Sequence, residues 1–336
     1  MNSKDAFVSV ITPVLNGREY LKRSLQAVKS SDYPLFELIV VDDNSQDGSG
    51  DVARSYADII ITNKSSLGPA QARNIAIEKS RGELLFFLDA DVVIRPDTIS
   101  KAARAFNEDR SLSAAFGSYD DRPPANNFFS QYKNLFNHFI HQNSSQEAST
   151  FWAGCGIVKK SDFTRVGGFS KQYPSSSIED VELGYRLKAA GKKIRLLKDL
   201  QVTHLKNWSF LTLIKTDILR RAIPWSKLSF EKGLSLDLNF KLKDRLSGIL
   251  SCTLFLLLIL SLYRAVFILP FMAVLSALTF LNIRLYSFFF QKKGLIFAIA
   301  AAAFHWFYLF YSSFVFTAIY AACSLRKVFT GKTTGR

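Results

Sequence analysis

Between Phe7 and Val92, short β-branched runs alternate with stretches whose apolar positions recur at helical spacing. FVSVITPV is followed by YLKRSLQAVKS, ELIVVDD by a polar loop and VARSYA, DIIITN by PAQARNIAIEKS, and then comes LLFFLDADV. Runs that are apolar at nearly every position suit parallel strands covered on both faces. The alternation predicts βαβ units in an open, doubly wound α/β sheet, whose ligands bind beyond the carboxyl ends of the strands. Polar residues fall at those ends: Thr12 and Asn16 after the first run, Asp42 and Asp43 ending the second, Asn63 after the third, Asp89 and Asp91 ending the fourth.

Beyond Pro96, DTISKAARAFNED predicts a helix leading into a less regular region, with DDRPPANN as a turn-rich loop and FFSQYKNLFNHFIHQ as a further helix. WAGCGIVKKSDFTRVGGF predicts a strand, a short helix and a Gly-Gly turn. SIEDVELGYRLKAAGKKI has an acidic start, a basic end and a glycine stop, the polarity that the helix dipole favours. KIRLLKDLQVTHL predicts the last strand pair of the domain.

After His204 the pattern changes. NWSFLTLIKTDILRRAIPW mixes aromatic and aliphatic residues with Lys and Arg, the composition of a helix lying among lipid headgroups. From Leu246 to Ala322, runs of Leu, Phe, Ile and Ala approach the length needed to cross a bilayer, with spans expected at 246–262, 265–281 and 295–322. Three spans put the basic tail RKVFTGKTTGR on the far side, against the positive-inside tendency, unless one segment is re-entrant. The expected layout is a cytoplasmic α/β domain over 1–205, amphipathic juxtamembrane helices over 206–245, a membrane region over 246–323 and a tail over 324–336.

Charge adds a direction to this layout. The 336 residues carry a net charge of +15, part of it between Lys206 and Arg245, where basic side chains favour an anionic membrane surface and mark its cytoplasmic side. No recognition helix, zinc finger or RNA-binding signature is present, so nucleic acid is not the expected partner. The N-terminal stretch lacks the order of a secretory signal, which predicts a multi-pass protein of the inner or plasma membrane with its α/β domain in the cytoplasm. Cys155, Cys252 and Cys323 have no paired spacing and predict neither a disulfide framework nor a zinc site.

The acidic residues at the sheet edge carry the chemistry. Burying an ionised carboxylate is costly unless it is paired or bound to a metal, and Asp89 and Asp91 interrupt the apolar run FFLDADVVI. A divalent cation, Mn or Mg, together with a nucleotide diphosphate, accounts for Asp43, Asp89 and Asp91 at once, since a hard ion bridges carboxylate and phosphate oxygens. The stretch VDDNSQDGS is equally a good turn and cap. Arg73 and Asn74, after Gly68 and Pro69, suit a phosphate or a base edge at a helix start, and equally an ordinary surface helix. Glu179, Asp180 and Glu182 crowd a helix start, where mutual repulsion raises a carboxyl pKa toward that of a general base, and where acids also simply suit the dipole. His204 is either structural or a metal partner.

Taken together, TPVLNG, VVDDNSQDGS, LGPAQARN, FLDADV, AGCGIVKKSDFTRVGGF and EDVELGYRL resemble, in order, an inverting family 2 glycosyltransferase with a GT-A fold, over roughly Phe7 to Leu205. The resemblance implies a mixed sheet with helices on both faces and a nucleotide-sugar donor held by Thr12, Pro13, Asp43, Arg73 and Asp89. It implies a divalent cation held by Asp89, Asp91 and His204, and Asp180 as the catalytic base. Trp152, Glu179, Arg221 and Trp225 are the acceptor-side or supporting candidates. Processive synthases that resemble this family carry a QxxRW motif, which the LRRAIPW stretch lacks. The expected activity is therefore transfer of one sugar to a lipid-linked or membrane-proximal acceptor. A processive polysaccharide synthase and a non-catalytic sugar-nucleotide-binding membrane scaffold are the alternatives.

Overall fold

The computed structural model describes residues 5–173, 175–232 and 242–330. It divides into two compact units that meet in sequence between Asn207 and Trp208. Residues 233–241 of the juxtamembrane segment and 331–336 of the basic tail lie outside the described residues.

The first unit opens as the hydrophobic pattern predicts. Strand β1 (Val8–Val14), helix α1 (Arg18–Lys29), β2 (Phe36–Asp42), α2 (Ser49–Arg54), β3 (Ile59–Thr62), α3 (Pro69–Lys79) and β4 (Leu84–Leu88) form parallel pairs in the order β3-β2-β1-β4. Alternate residues of these strands serve opposite faces. Val8, Val10, Leu38, Val40 and Phe86 pack with Leu21, Leu25 and Val28 of α1, whereas Ile11, Ile39, Val41, Leu85 and Phe87 pack with Ala70, Ala72 and Ala76 of α3. Both faces are covered, which is why the runs read as continuously apolar.

The second half of the sheet is mixed. After β4 come β5 (Val92–Val93), α4 (Thr98–Glu108), β6 (Leu112–Tyr119), α5 (Phe128–Gln142), β7 (Glu147–Ala148), β8 (Cys155–Lys159), α6 (Lys160–Arg165), α7 (Glu179–Ala189) and β9 (Lys193–His204). The order continues β4-β8-β6-β9-β5, with β7 also pairing β9. β8 runs antiparallel to both β4 and β6, whereas β6 and β9 are parallel.

Two expectations change here. The region after α4, expected to be less regular, contains β6, an eight-residue strand buried at every position. Its sequence LSAAFGSY is rich in Ala, Ser and Gly, which have little strand preference of their own; pairing on both sides makes it a strand. The expected last strand pair is a single 12-residue strand, β9. It pairs with β6 around Ile194–Leu196 and again from Gln201, and the register shift between these stretches takes up the polar residues that read as a turn.

In the second unit, helix α8 (Phe210–Lys215) continues through a π-helical turn (Thr216–Ala222) into α9 (Ile223–Lys232). Pro224 has no N–H to return to the preceding turn, which accounts for the widened winding just before it. Helices α10 (Leu242–Tyr263) and α11 (Ile268–Leu281) fold back on each other, with Asn282 donating to Ser247 Oγ at 3.0 Å. α12 (Ile283–Thr330) breaks at Gly294, whose φ of 81° and ψ of 179° are not helical. Among the described residues, two helices, Leu242–Tyr263 and Ile283–Lys327, are long and apolar enough to cross a membrane. The expected middle span is shorter: α11 has 14 residues, about 21 Å against a hydrocarbon core of about 30 Å.

Candidate active site

The predicted acidic residues lie at the carboxyl ends of β2 and β4 and at the start of α7. Asp43 follows β2 and is almost fully buried. Its carboxylate accepts from Asn63 Nδ2 (2.7 Å), Ser66 Oγ (2.9 Å), the Leu67 N–H (2.9 Å) and the Gly68 N–H (2.8 Å). Burial raises its pKa, and these donors outweigh burial, leaving it below the ordinary value. Asp43 therefore shapes the 63–68 loop and the start of α3, with its oxygens already engaged by protein donors. Gly68, at φ 84°, makes the turn that brings its N–H to that carboxylate, and Pro69 opens the helix.

Thr12 lies within β1 at 0% exposure, and its hydroxyl has no hydrogen-bond partner among the described residues. Pro13 beside it is half-buried. The rim itself is formed by the loops after β1 and β2. Asn16 Oδ1 accepts from the Gln46 N–H at 2.8 Å, and the Asn16 N–H donates to Ser45 Oγ at 3.0 Å. Asn16 and Asn44 both have positive φ, 51° and 69°, a conformation that asparagine tolerates better than most side chains.

The DAD stretch is a tight turn that ends β4: the Val92 N–H donates to the Asp89 carbonyl at 3.1 Å. Both carboxylates are consequently part-exposed rather than enclosed in the strand. Arg73 sits one turn inside α3 and is 3% exposed, not a surface residue. Its Nη2 donates to Asp89 Oδ1 at 2.6 Å and its Nη1 to Glu179 Oε1 at 3.2 Å. The guanidinium expected to approach the donor is thus shared between two carboxylates, while its Nε has no hydrogen-bond partner among the described residues.

Asp91 points toward a different partner. Its Oδ2 lies 3.5 Å from His204 Nε2. Burial raises the Asp91 pKa, and His204 and then Lys206 outweigh it, leaving the carboxyl below its ordinary value. Of the three expected metal ligands, the structure brings Asp91 and His204 together, whereas Asp89 is drawn off by Arg73. No group of three or more His, Cys, Asp or Glu side chains is arranged to hold a metal among the described residues. One carboxylate oxygen of part-exposed Asp91 and one imidazole nitrogen of the largely buried His204 form a donor set that fits Mn2+ and leaves further positions for phosphate oxygens or water.

Asp180 stands in the first turn of α7 and is half-buried. Its Oδ2 accepts from the Ala153 N–H at 3.0 Å and its Oδ1 from the Val181 N–H at 2.8 Å. Burial and the charge of Glu179 push its pKa up to about 7, against the pull of the Ala153 N–H and Arg73. A carboxyl near neutrality is poised to exchange a proton with a hydroxyl. Glu179 is buried, held by Arg73 and by the Ser177 N–H at 2.8 Å. One turn on, Gly184 lets α7 press against the chain before β8: a Cβ there falls 2.5 Å from the Phe151 nitrogen and 2.6 Å from Thr150 Cα.

One residue with no signal in the sequence, Tyr119, joins the expected Trp152 in this region. Tyr119, at the end of β6, stacks on His204 and meets Trp152 edge-on. Trp152 is half-buried and directly precedes Ala153, the donor to Asp180. Only the unexpected strand β6 brings Tyr119 here, and recognising that strand was the one route to finding it. Arg221 and Trp225 lie in the second unit, in the π-helical turn and in α9.

Residues 9–167 match the family described as "Glycosyl transferase family 2", and residues 134–207 match "N-terminal domain of galactosyltransferase". Among curated relatives, the chain is 34% identical over 124 residues to "Putative teichuronic acid biosynthesis glycosyltransferase TuaG" of Bacillus subtilis, covering 35% of this chain and 49% of that protein. It is 42% identical over 99 residues to "Glycosyltransferase AglE" of Haloferax volcanii, covering 27% and 32%. The chain thus spans about half or less of the length of these relatives. In structure it is similar to the mannosyltransferase PcManGT from Pyrobaculum calidifontis, solved in complex with GDP-Man and Mn2+. That likeness has a TM-score of 0.57 at 17% identity and covers 90% of this chain and 87% of the other, a likeness of fold.

Proposed function

We propose that the chain, whose residues 9–167 match glycosyl transferase family 2 and whose fold is similar to that of a solved mannosyltransferase, is an inverting transferase moving one sugar from a nucleotide-diphosphate donor to a lipid-linked or membrane-proximal acceptor. The observation that carries this reading is Asp180, whose carboxyl is pushed up to about 7 beside the Asp89–Arg73–Glu179 cluster. Asp180 takes the proton of the acceptor hydroxyl. The acceptor oxygen then bonds to the anomeric carbon from the face opposite the donor phosphate, the bond from that carbon to the phosphate oxygen breaks, and the nucleoside diphosphate leaves.

The protein supports each part of that step. The Ala153 and Val181 N–H groups orient the base. Arg73 offsets part of the charge of Asp89 and Glu179, which lessens the repulsion that a polyanionic donor meets. Asp43 holds the 63–68 loop and the start of α3 in place beside the proposed donor site. Asp91 and His204 would hold a divalent cation, and a solved structure of similar fold contains Mn2+. When bound, that ion neutralises charge developing on the leaving diphosphate. The two long apolar helices and the basic segment from Lys206 support attachment to an anionic membrane surface with the catalytic unit on its cytoplasmic face.

The test is a screen of nucleotide sugars for thermal stabilisation of the full chain, followed by transfer assays with the stabilising donor and membrane lipid extract. Transfer by wild type and its loss in Asp180→Asn is the expected result. Equal turnover by the two proteins rules the base assignment out.

A further inference from the structure

We propose that Tyr119 is a positioning residue for the metal shell: its ring, stacked on His204, fixes the imidazole so that Nε2 faces Asp91. This rests on Asp91 and His204 being the metal donors. The two ring centroids lie 4.4 Å apart with planes 16° from parallel, and His204 Nε2 lies 3.5 Å from Asp91 Oδ2.

The backbone alone does not set that orientation. His204 pairs with Val92 across β5 and β9, and the Leu205 N–H donates to the Asp91 carbonyl at 2.8 Å. These bonds fix where the histidine stands, but the last torsion of a histidine side chain is broad, so the ring turns unless something packs on its face. Tyr119 packs there, and it is itself held firmly. It is 8% exposed, its backbone is in register with Val202, and its carbonyl bonds to His138 Nδ1 at 2.7 Å.

Trp152 also meets Tyr119 edge-on, with centroids 4.7 Å apart and planes at 75°. One aromatic row therefore joins His204 to the segment whose Ala153 N–H supports Asp180. An imidazole that binds a cation gains positive character, and a π face beneath it becomes more favourable in that state. The stack thus favours the metal-bound form over the free one.

The test measures free Mn2+ by electron paramagnetic resonance as the ion is titrated into the full chain, alone and with UDP or GDP. Tyr119→Phe keeps the ring and should bind Mn2+ as wild type does. Tyr119→Met, with Tyr119→Leu as a second non-aromatic variant, should bind about three- to tenfold more weakly, the size of a lost ring contact. His204→Ala should weaken binding at least as much, and adding Tyr119→Met to it should cost nothing more, because the two act through one ligand. Wild-type Mn2+ affinity in the non-aromatic variants while His204→Ala is impaired overturns the positioning role and leaves the metal site standing. The full loss from Tyr119→Met persisting in the His204→Ala background also overturns it. Unchanged affinity in His204→Ala alone overturns the metal site and the proposal with it.

Discussion

The guanidinium of Arg73 meets the carboxylate of Glu179 at 3.2 Å across 106 residues of sequence, with both side chains about 5% exposed or less. Through its second amino group the same arginine holds Asp89 at 2.6 Å. One buried cation therefore ties the turn after β4 to the helix that carries Asp180.

Removing that cation leaves Glu179 buried without its partner. Breaking a buried pair from one side costs about 3–5 kcal/mol, so Arg73→Ala should lower the unfolding midpoint clearly and abolish transfer. Arg73→Lys keeps the charge but not the fork; it should recover part of the stability and little of the activity. Urea unfolding of the three proteins checks this, and equal midpoints contradict it.

The pH dependence follows from Asp180. As a base it must be ionised, so turnover should rise as pH passes through about 7. Stability should move the other way. The folded pKa stands above the ordinary 3.8, so the folded state holds a proton that the unfolded chain releases. That contribution is fully present below about pH 4 and is lost as pH rises through about 7. Asp180→Asn cannot ionise and should therefore gain stability over wild type from pH 4 to pH 8, in thermal melts taken across that range. A constant difference over the range counts against the raised carboxyl.

Metal removal should separate the two aspartates of the DAD turn. EDTA should abolish transfer, and Mn2+ or Mg2+ should restore it. Asp91→Asn and His204→Ala should both raise the Mn2+ concentration for half-maximal activity, by about tenfold or more. Asp89→Asn should instead reduce turnover with a smaller change in Mn2+ requirement, because Asp89 faces Arg73. Full activity in chelator contradicts the metal assignment.

Gly184→Ala reverses the usual rule. In an open helix this change stabilises by about 1 kcal/mol. Here the new methyl meets backbone atoms of Thr150 and Phe151 at 2.5–2.6 Å, so α7 must shift and move Asp180 away from the Ala153 N–H. Transfer should drop at least about tenfold, together with a lower melting temperature. A stabilised, fully active variant contradicts the close packing.

The two long apolar helices should anchor the chain. Membranes washed with alkaline carbonate should retain it in the pellet, whereas a surface-bound protein is released. Release into the supernatant leaves the apolar helices as an internal bundle of the second unit.

The amino-acid order by itself determined the parallel half of the sheet and the resemblance to family 2 glycosyltransferases. β1, β2 and β4 are buried on both faces, so their apolarity is continuous and legible, and acids stand at or just after the ends of β2 and β4. It also determined that the C-terminal third is apolar helix. It did not determine β6, whose Ala, Ser and Gly become a strand only between β8 and β9, nor the single course of β9 through its register shift.

Tertiary structure alone decided what each acid holds. Asp43, Asp89 and Asp91 look alike in sequence, yet the first is closed by the 63–68 loop, the second by Arg73, and the third faces His204. Each partner comes from a distant segment, and a carboxylate's chemistry is set by the charges and donors within a few ångströms of it. Sequence spacing places such a group on its strand but carries no record of which remote side chain meets it there.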